Sequence, residues 1–375
     1  MAYLSRSLPA SFLRGGTSKG IFLSRHVLPS DRAEWPSIFL GIMGSPDPEY
    51  GRQLNGMGGG ISSLSKICVV GPASAAQQRL GIQVEYTFVQ VGIKDRTIDV
   101  SGNCGNLSSM IGVFARDQGM VGPPPPGSSR MTVRSFNTNT SKIIDTIFPV
   151  SSDGFAELER PEVAIAGVSG EASEIILEFV DPAGAGTGKG LLPTGKPMEE
   201  MELEGRKLTV SCVDAANPAV FVSADEIRAL HPTGYDAYLA RAESPETEQV
   251  SSTLEAIRRW GAQRMGLDPN IQATPKIAIL GPPKIGEDIL VHALSMGVLH
   301  RAVPMTLGLA TGVAANMEGT LAWKIVQPKS GTAKMVTIRH PGGTVDVGAR
   351  IDGGEVKSAK TVRTGRRLME GRVYY

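Results

Sequence analysis

Residues 97–116 read Thr-Ile-Asp-Val-Ser-Gly-Asn-Cys-Gly-Asn-Leu-Ser-Ser-Met-Ile-Gly-Val-Phe-Ala-Arg, which predicts a short strand, a glycine-flanked cysteine and then a helix. This order places the thiol of Cys104 beside the amino-terminal end of a helix, where unpaired N–H groups and the helix dipole favour negative charge. A thiolate is stabilised there, and the same amides can bind a substrate carboxylate. Gly102 and Gly105 let the backbone turn sharply beside a ligand. A second interpretation stands beside this one, because a free cysteine is commonly a small buried apolar side chain.

Two helical segments indicate the fold class. Asn106–Gln118 and roughly Met305–Met317 are rich in small residues and nearly uncharged, so each can be buried on all sides inside a sheet. Strand-like segments with β-branched residues or apolar alternation surround them in the sequence. These segments are Ile82–Val91, Met131–Phe136, Glu174–Val180, Leu208–Val213, Lys276–Leu280, Met335–His340 and Val356–Arg363. The pattern predicts an α+β fold of two similar halves, each a strand-rich sheet around one buried helix.

One more helix is predicted over Ser252–Met265. The sequence Ser-Thr-Leu-Glu at its start fits a capping box, and Leu254, Ile257 and Met265 are among its apolar positions.

Domain boundaries are predicted from composition. The glycine-rich stretch Val180–Pro197 is the expected connection between domains. We expect an amino-terminal domain over 1–180, a second domain over 181–350, and a segment over 351–375 that returns to the first domain.

Composition narrows the function classes. The 375 residues carry 38 Lys and Arg against 37 Asp and Glu, a formal charge of +1, which indicates neither nucleic acid nor a membrane surface as a partner. Three widely spaced cysteines and five scattered histidines predict no disulfide framework and no metal site. There is no signal-peptide pattern and no apolar stretch of roughly 18 residues. We expect a cytoplasmic protein that binds a small molecule, with monomer and homo-oligomer both open.

Two other loops combine small residues with a basic group. Arg-Gly-Gly-Thr-Ser-Lys-Gly at 14–20 offers hydroxyls, amides and an ammonium to a carboxylate. Gly-Gly-Gly-Ile-Ser-Ser-Leu-Ser-Lys at 58–66 leads into the strand-like segment Ile67–Val70. Each loop taken alone is equally well an ordinary turn, and neither matches a nucleotide-binding motif.

These three loops, in this order and at these intervals, resemble the methylaconitate isomerase (PrpF) family. The likeness continues through short segments over nearly the whole chain. Among them are Asp181-Pro182-Ala183-Gly184, Leu192-Pro193-Thr194-Gly195, Asn217-Pro218, Pro275-Lys276-Ile277-Ala278, His300-Arg301-Ala302 and His340-Pro341. The resemblance implies the diaminopimelate epimerase-like fold: two pseudo-symmetric domains, each a β-barrel around a central helix, with the active site in the cleft between them.

The resemblance also implies a reaction that requires no cofactor. Members of this family move a carbon–carbon double bond, or tautomerise, in small di- and tricarboxylates such as aconitate, methylaconitate and oxalomesaconate. By matching motif, Lys66 and Cys104 are the expected acid–base pair. The expected substrate-binding residues are Ser18, Lys19, Ser65, Gly105, Asn106, Asn217 and Lys276, and the helix start at Thr306 is a further candidate for a carboxylate.

An absence in the second half argues against one reaction. Epimerases of this superfamily use two cysteines, one before each central helix, but residues 303–308 contain none. Cys68 and Cys212 lie in strand-like segments and are expected in the core. A two-thiol racemase is therefore disfavoured. The alternatives that remain are a keto–enol tautomerase of an oxalomesaconate-like acid and a non-catalytic carboxylate-binding protein.

Overall fold

A computed structural model describes most of the chain. The described residues are 6–100, 102–272, 274–283, 285–295, 297–327, 335–353 and 355–375. They divide into two compact units, the first ending at Glu178 and completed by Val362–Tyr375, the second formed by Phe179–Thr361. The predicted boundaries at 180 and 350 stay predictions.

Strands make up most of the regular structure. The strands of the described part are β1 (Ser7–Gly15), β2 (Ser18–Ser24), β3 (Lys66–Pro72), β4 (Val84–Val91), β5 (Ile98–Asp99), β6 (Arg130–Asn137), β7 (Lys142–Pro149), β8 (Val163–Ala164), β9 (Glu171–Ala172), β10 (Ile175–Val180), β11 (Glu199–Leu203), β12 (Arg206–Ala215), β13 (Asn217–Ser223), β14 (Lys276–Gly281), β15 (Ile289–Ser295), β16 (Val298–Leu299), β17 (Val336–His340), β18 (Gly343–Asp352), β19 (Glu355–Arg363) and β20 (Gly365–Tyr374). The helices are α1 (Trp35–Met43), α2 (Ala75–Gln78), α3 (Gly105–Ser108), α4 (Ile111–Asp117), α5 (Ala224–Leu230), α6 (Tyr235–Leu239), α7 (Pro245–Met265), α8 (Met305–Ala315) and α9 (Leu321–Val326). The predicted α+β class is confirmed.

The sheet of the first unit brings the two ends of the chain together. β1 pairs antiparallel with β2 and with β20, so the last strand lies beside the first. β2 then runs parallel to β3, β3 antiparallel to β4, β4 parallel to β6, and β6 antiparallel to β7.

The central helix of the first unit is divided in two. The sequence predicted one helix over Asn106–Gln118, and this is wrong at Ser109 and Met110. Their N–H groups bond to the carbonyls of Asn106 and Leu107, three residues back, at 3.4 and 2.9 Å, so one tight turn separates α3 from α4. All five residues of Ile111–Ala115 are buried, and α4 packs against β3, β6 and β7.

The two faces of β2 and β3 have different neighbours, because successive side chains of a strand point to opposite faces. One face turns toward the central helix: the ring of Phe22 lies 5.6 Å from that of Phe114. The other face carries Ile21 and Ile67, which pack with α1 in a separate apolar cluster.

The second unit repeats this plan around α8. Every residue of Leu307–Ala315 is buried, and α8 packs against β12, β13, β17 and β18. β12 and β13 are antiparallel, while β13 and β14 run parallel, so their amino-terminal ends lie at the same edge of the sheet.

The start predicted for the long helix of the second unit is wrong. α7 begins at Pro245, seven residues before Ser252, and the capping box is formed by Ser244 and Thr247. Thr253 lies inside the helix, where its hydroxyl lies 2.8 Å from Nε2 of His231.

Within the ranges given above, no helix combines the length and apolarity needed to cross a bilayer.

Candidate active site

Cys104 lies at the start of the divided central helix. It caps α3 with an extended backbone, and its side chain is half-buried. Its Sγ lies 3.8 Å from Oγ of Ser18, which is buried at the start of β2. The structure thus brings together residues from the loops at 14–20 and 97–116, which are far apart in the sequence.

Asn106 connects these loops. Its Nδ2 donates to Oγ1 of Thr17 at 3.0 Å and to Oγ of Ser18 at 3.4 Å. A close backbone approach makes this possible: a Cβ on Gly15 would lie 2.3 Å from the carbonyl oxygen of Asn106, and one on Gly16 would lie 2.3 Å from its Oδ1. Glycine is therefore required at both positions.

Arg363 belongs to this group of residues, although the sequence analysis missed it. It is the last residue of β19, and its Nε donates to Oδ1 of Asn106 at 3.1 Å. Burial lowers the pKa of Arg363 to about 10, and the nearby Cys104 acts in the opposite direction. No motif surrounds it in the sequence, so only the pairing of strands reveals its position.

Lys66 begins β3 with an unusual degree of burial for an ammonium. Its side chain is 8% exposed, and its Nζ donates to Oε1 of Gln90 at 2.6 Å. The ammonium also lies 4.9 Å from the centre of the Phe88 ring, a cation–π contact. Gln90 in turn donates to the carbonyl of Ser65 at 2.9 Å, so the position of Lys66 is fixed through its partner.

A buried thiol, Cys68, lies near both candidate acid–base groups, and a buried phenol, Tyr86, lies near Cys104. Burial raises the pKa of Cys68 well above its usual value, Cys104 raises it further and Lys66 lowers it. Burial likewise raises the pKa of Tyr86, whose hydroxyl lies 2.8 Å from Oγ of Ser108 in α3. Cys68 and Tyr86 are therefore neutral at pH 7. Cys68 is buried, as predicted, and so is Cys212 in the second unit.

Ser65 stabilises the loop before Lys66, and its side chain does not point to Cys104. Its hydroxyl donates to Oε1 of Gln53 at 2.6 Å, and both residues are fully buried. The same Oε1 accepts from the N–H of Gly60 at 3.0 Å, and Nε2 of Gln53 donates to Oγ of Ser45 at 2.8 Å. Gln53 was missed from the sequence, because nothing in its neighbourhood indicates a buried amide.

Gln53→Ala is expected to lower the free energy of unfolding of the first unit by about 2–4 kcal/mol, since it leaves buried donors without partners and opens a cavity. Thermal unfolding followed by circular dichroism measures this as a lower Tm. Gln118→Ala, at an exposed position of the same unit, is the matched control. Equal Tm values for the two variants would contradict the structural role of Gln53.

Gly105 and Lys19, two other predicted binding residues, directly follow Cys104 and Ser18 in the sequence. Gly105 is the first residue of α3 and is half-buried. The ammonium of Lys19 lies 5.6 Å from the centre of the Phe12 ring. Strand alternation places Lys19 on the face of β2 opposite to Ser18, so the structure does not bring it to Cys104. Its role in binding stays a prediction.

Three predicted binding residues belong to the second unit. Asn217 begins β13, where its Nδ2 donates to the carbonyl of Pro218 at 2.9 Å. Lys276 begins β14 at the same edge, and burial lowers its pKa. Thr306 is in the first turn of α8 and is half-buried.

Lys276 is one of two positively charged side chains near His300. Burial lowers the pKa of His300, and the charges of Lys276 and Arg241 lower it further, so both charges lie near His300. His300 stands in one of the short segments that resembled the family, and this was the available signal. In the part of the chain that the structure covers, no group of three or more His, Cys, Asp or Glu side chains could hold a metal ion.

Known proteins match this chain over almost its full length. A solved structure of methylitaconate-delta-isomerase has a TM-score of 0.84 and 33% identity, covering 98% of this chain and 95% of that one. The 2-methyl-aconitate isomerase of Shewanella oneidensis is 35% identical over 393 residues, 96% of this chain and 95% of that protein. The 3-methylitaconate isomerase of Eubacterium barkeri is 34% identical over 387 residues, 98% of this chain and 97% of that protein.

The architecture and these relatives define an isomerase with the diaminopimelate epimerase-like fold, as the sequence predicted. The sequence model described as PrpF protein matches residues 5–375. The chain belongs to the PrpF family.

Proposed function

We propose that this isomerase moves a carbon–carbon double bond within a small unsaturated tricarboxylate of the aconitate or methylaconitate class. One observation carries the proposal: the half-buried thiol of Cys104 lies 3.8 Å from Oγ of Ser18, which accepts from Asn106. The buried Cys68 interacts electrostatically with this thiol and with the buried ammonium of Lys66. The names of relatives that act on 2-methyl-aconitate and 3-methylitaconate support the substrate class.

The reaction needs two proton transfers. A base removes an allylic proton that is acidified by conjugation with a carboxylate, the C–H electron pair enters the conjugated system, and a dienolate forms. An acid then delivers a proton to the far carbon of the three-carbon unit, so that the double bond has moved and no atom is gained or lost. No electrons leave the substrate, so this chemistry requires neither a redox cofactor nor a co-reactant.

Cys104 and Lys66 are the proposed acid–base pair. Positioned general acids and bases accelerate such steps by roughly 10²- to 10⁴-fold each. One of the two groups removes the allylic proton, and the other returns a proton to the far carbon.

The carboxylates of the substrate need donors and positive charge, especially as charge develops on the dienolate. Ser18, Asn106 and the amide of Gly105 supply donors in the first unit. We also propose Asn217, Lys276 and Thr306 as binding residues, together with a cytoplasmic location.

Proton NMR in deuterated water tests the proposal. The purified protein is mixed separately with cis-aconitate, trans-aconitate and 2-methylaconitate, and the double variant C104S/K66M serves as the control. New olefinic or methylene signals that carry deuterium are expected with at least one substrate and not with the control.

Two other outcomes would change the conclusion. Deuterium exchange without a new isomer would favour a keto–enol tautomerase, a candidate supported by a 31% identical relative from Novosphingobium named (4E)-oxalomesaconate Delta-isomerase. No exchange with any of the three acids would contradict the proposed substrate class.

A further inference from the structure

Arg363 reaches the candidate site from the far end of the chain. It is the last residue of β19, 257 positions after Asn106, and its Nε donates to Oδ1 of that residue at 3.1 Å. Its Cδ would lie 3.2 Å from a Cβ on Gly16, so the guanidinium stem also packs against the loop at 14–20.

This contact decides the direction of a chain of hydrogen bonds. A guanidinium only donates, so the atom of Asn106 that faces Arg363 must be the carbonyl oxygen. The amide nitrogen of Asn106 is therefore turned toward Thr17 and Ser18 and donates to both hydroxyl oxygens. In the neutral form the thiol of Cys104 donates to Oγ of Ser18 at 3.8 Å. Once the sulfur has lost its proton it can only accept, and the Ser18 hydroxyl, which already accepts from Asn106, is then the donor that faces it.

The charges around Cys104 give Arg363 a second effect on the thiol. Cys68 on β3 and Tyr86 on β4 both interact electrostatically with Cys104, and both are neutral at pH 7 because burial raises their pKa values. Lys66 on β3 is positive, and its ammonium donates to Gln90. The guanidinium of Arg363 is also positive at pH 7 and interacts electrostatically with Cys104. A nearby positive charge favours the ionised form of a thiol.

We propose that Arg363 is a positioning residue for Cys104, through the hydrogen-bonded series Asn106 and Ser18 and through its own charge. The proposal rests on the acid–base role of Cys104 proposed above. It assigns a role in the reaction to the end of β19, where the sequence showed no motif.

The test is the pH dependence of alkylation at Cys104. Wild-type protein and Arg363→Met are treated with iodoacetamide between pH 5 and 10, and the rate at Cys104 is followed by mass spectrometry of its peptide. Because the thiolate is the reacting form, the midpoint of the rate profile reports its ionisation. Arg363→Met is expected to raise this midpoint by about one pH unit and to lower kcat/KM by about 10-fold or more.

Matched variants separate charge from packing. Arg363→Lys keeps the charge, so its alkylation midpoint is expected to lie near that of the wild type. Ser18→Ala removes the hydrogen bond between Ser18 and Cys104, and its alkylation midpoint is expected to be higher than that of the wild type. Arg367→Met is the control. Arg367 lies on β20, and its guanidinium is paired with Asp117 at the end of α4 and not with Asn106 or Ser18. Its midpoint should equal that of the wild type.

Unchanged midpoints in both Arg363→Met and Ser18→Ala would overturn the proposal, as would an equal rise in Arg367→Met. If Arg363→Met does not fold, Ser18→Ala and Arg363→Lys still decide the question. Alkylation measures the thiol itself, so a failure of the proposed isomerase reaction would appear in the activity assay and leave this readout intact.

Discussion

Lys66→Met is expected to lower kcat/KM by about 10²- to 10⁴-fold. Methionine is close to lysine in length and keeps a contact with the Phe88 ring, but it can neither accept nor deliver a proton. The loss is expected mainly in kcat, because the missing group acts in the transition state. Steady-state rates with the substrate identified by NMR measure the effect.

Folding must be separated from catalysis in this variant. Gln90 loses a donor, which costs about 1–2 kcal/mol, so Lys66→Met should remain folded with a slightly lower Tm. Lys94→Met, at an exposed position of the same unit, is the matched control and should keep wild-type kinetics. A folded Lys66→Met with nearly normal kcat would remove Lys66 from the mechanism.

Cys104→Ser is expected to cause a loss of the same size, about 10²- to 10⁴-fold in kcat/KM. Serine keeps the shape and a hydrogen bond to Ser18, but its hydroxyl does not ionise near neutral pH. Steady-state rates with the substrate identified by NMR measure the loss.

Cys212→Ala is the control for removing a thiol. Cys212 is 2% exposed, and burial raises its pKa to about 12, so it is not ionised under assay conditions. This variant is expected to lose stability and to keep its kcat. Wild-type kcat in Cys104→Ser would show that Lys66 works with a different partner.

The fold could be predicted where the local sequence pattern and the packing of the folded protein favour the same secondary-structure element. The segment around α8 has no charge over its length, and only complete burial suits such a helix. β20 was missed for the opposite reason: Gly365–Tyr374 is rich in arginine and almost wholly exposed, so its strand structure comes from pairing with β1. The start of α7 was misplaced because Ser252 and Ser244 both begin plausible capping sequences, and proline at position 245 favours the earlier one.

The site could be predicted only in part, because some of its residues are recognisable only by contacts with distant parts of the chain. Cys104, Ser18 and Asn106 stand in short glycine-containing loops, and such loops indicate a site in the sequence itself. Arg363 is an ordinary strand residue, and its role depends on a contact across 257 positions. Gln53 carries no local signal either, because a buried amide is recognised only by its partners.

The pairing of β1 with β20 has a consequence for synthesis. β1 is synthesised long before β20, so the first unit cannot complete its sheet until β20 has left the ribosome. During translation β1 exposes an unpaired edge that invites contact with other chains. β20 covers that edge when it pairs with β1, and Arg363, two residues before β20, bonds to Asn106 in the completed unit.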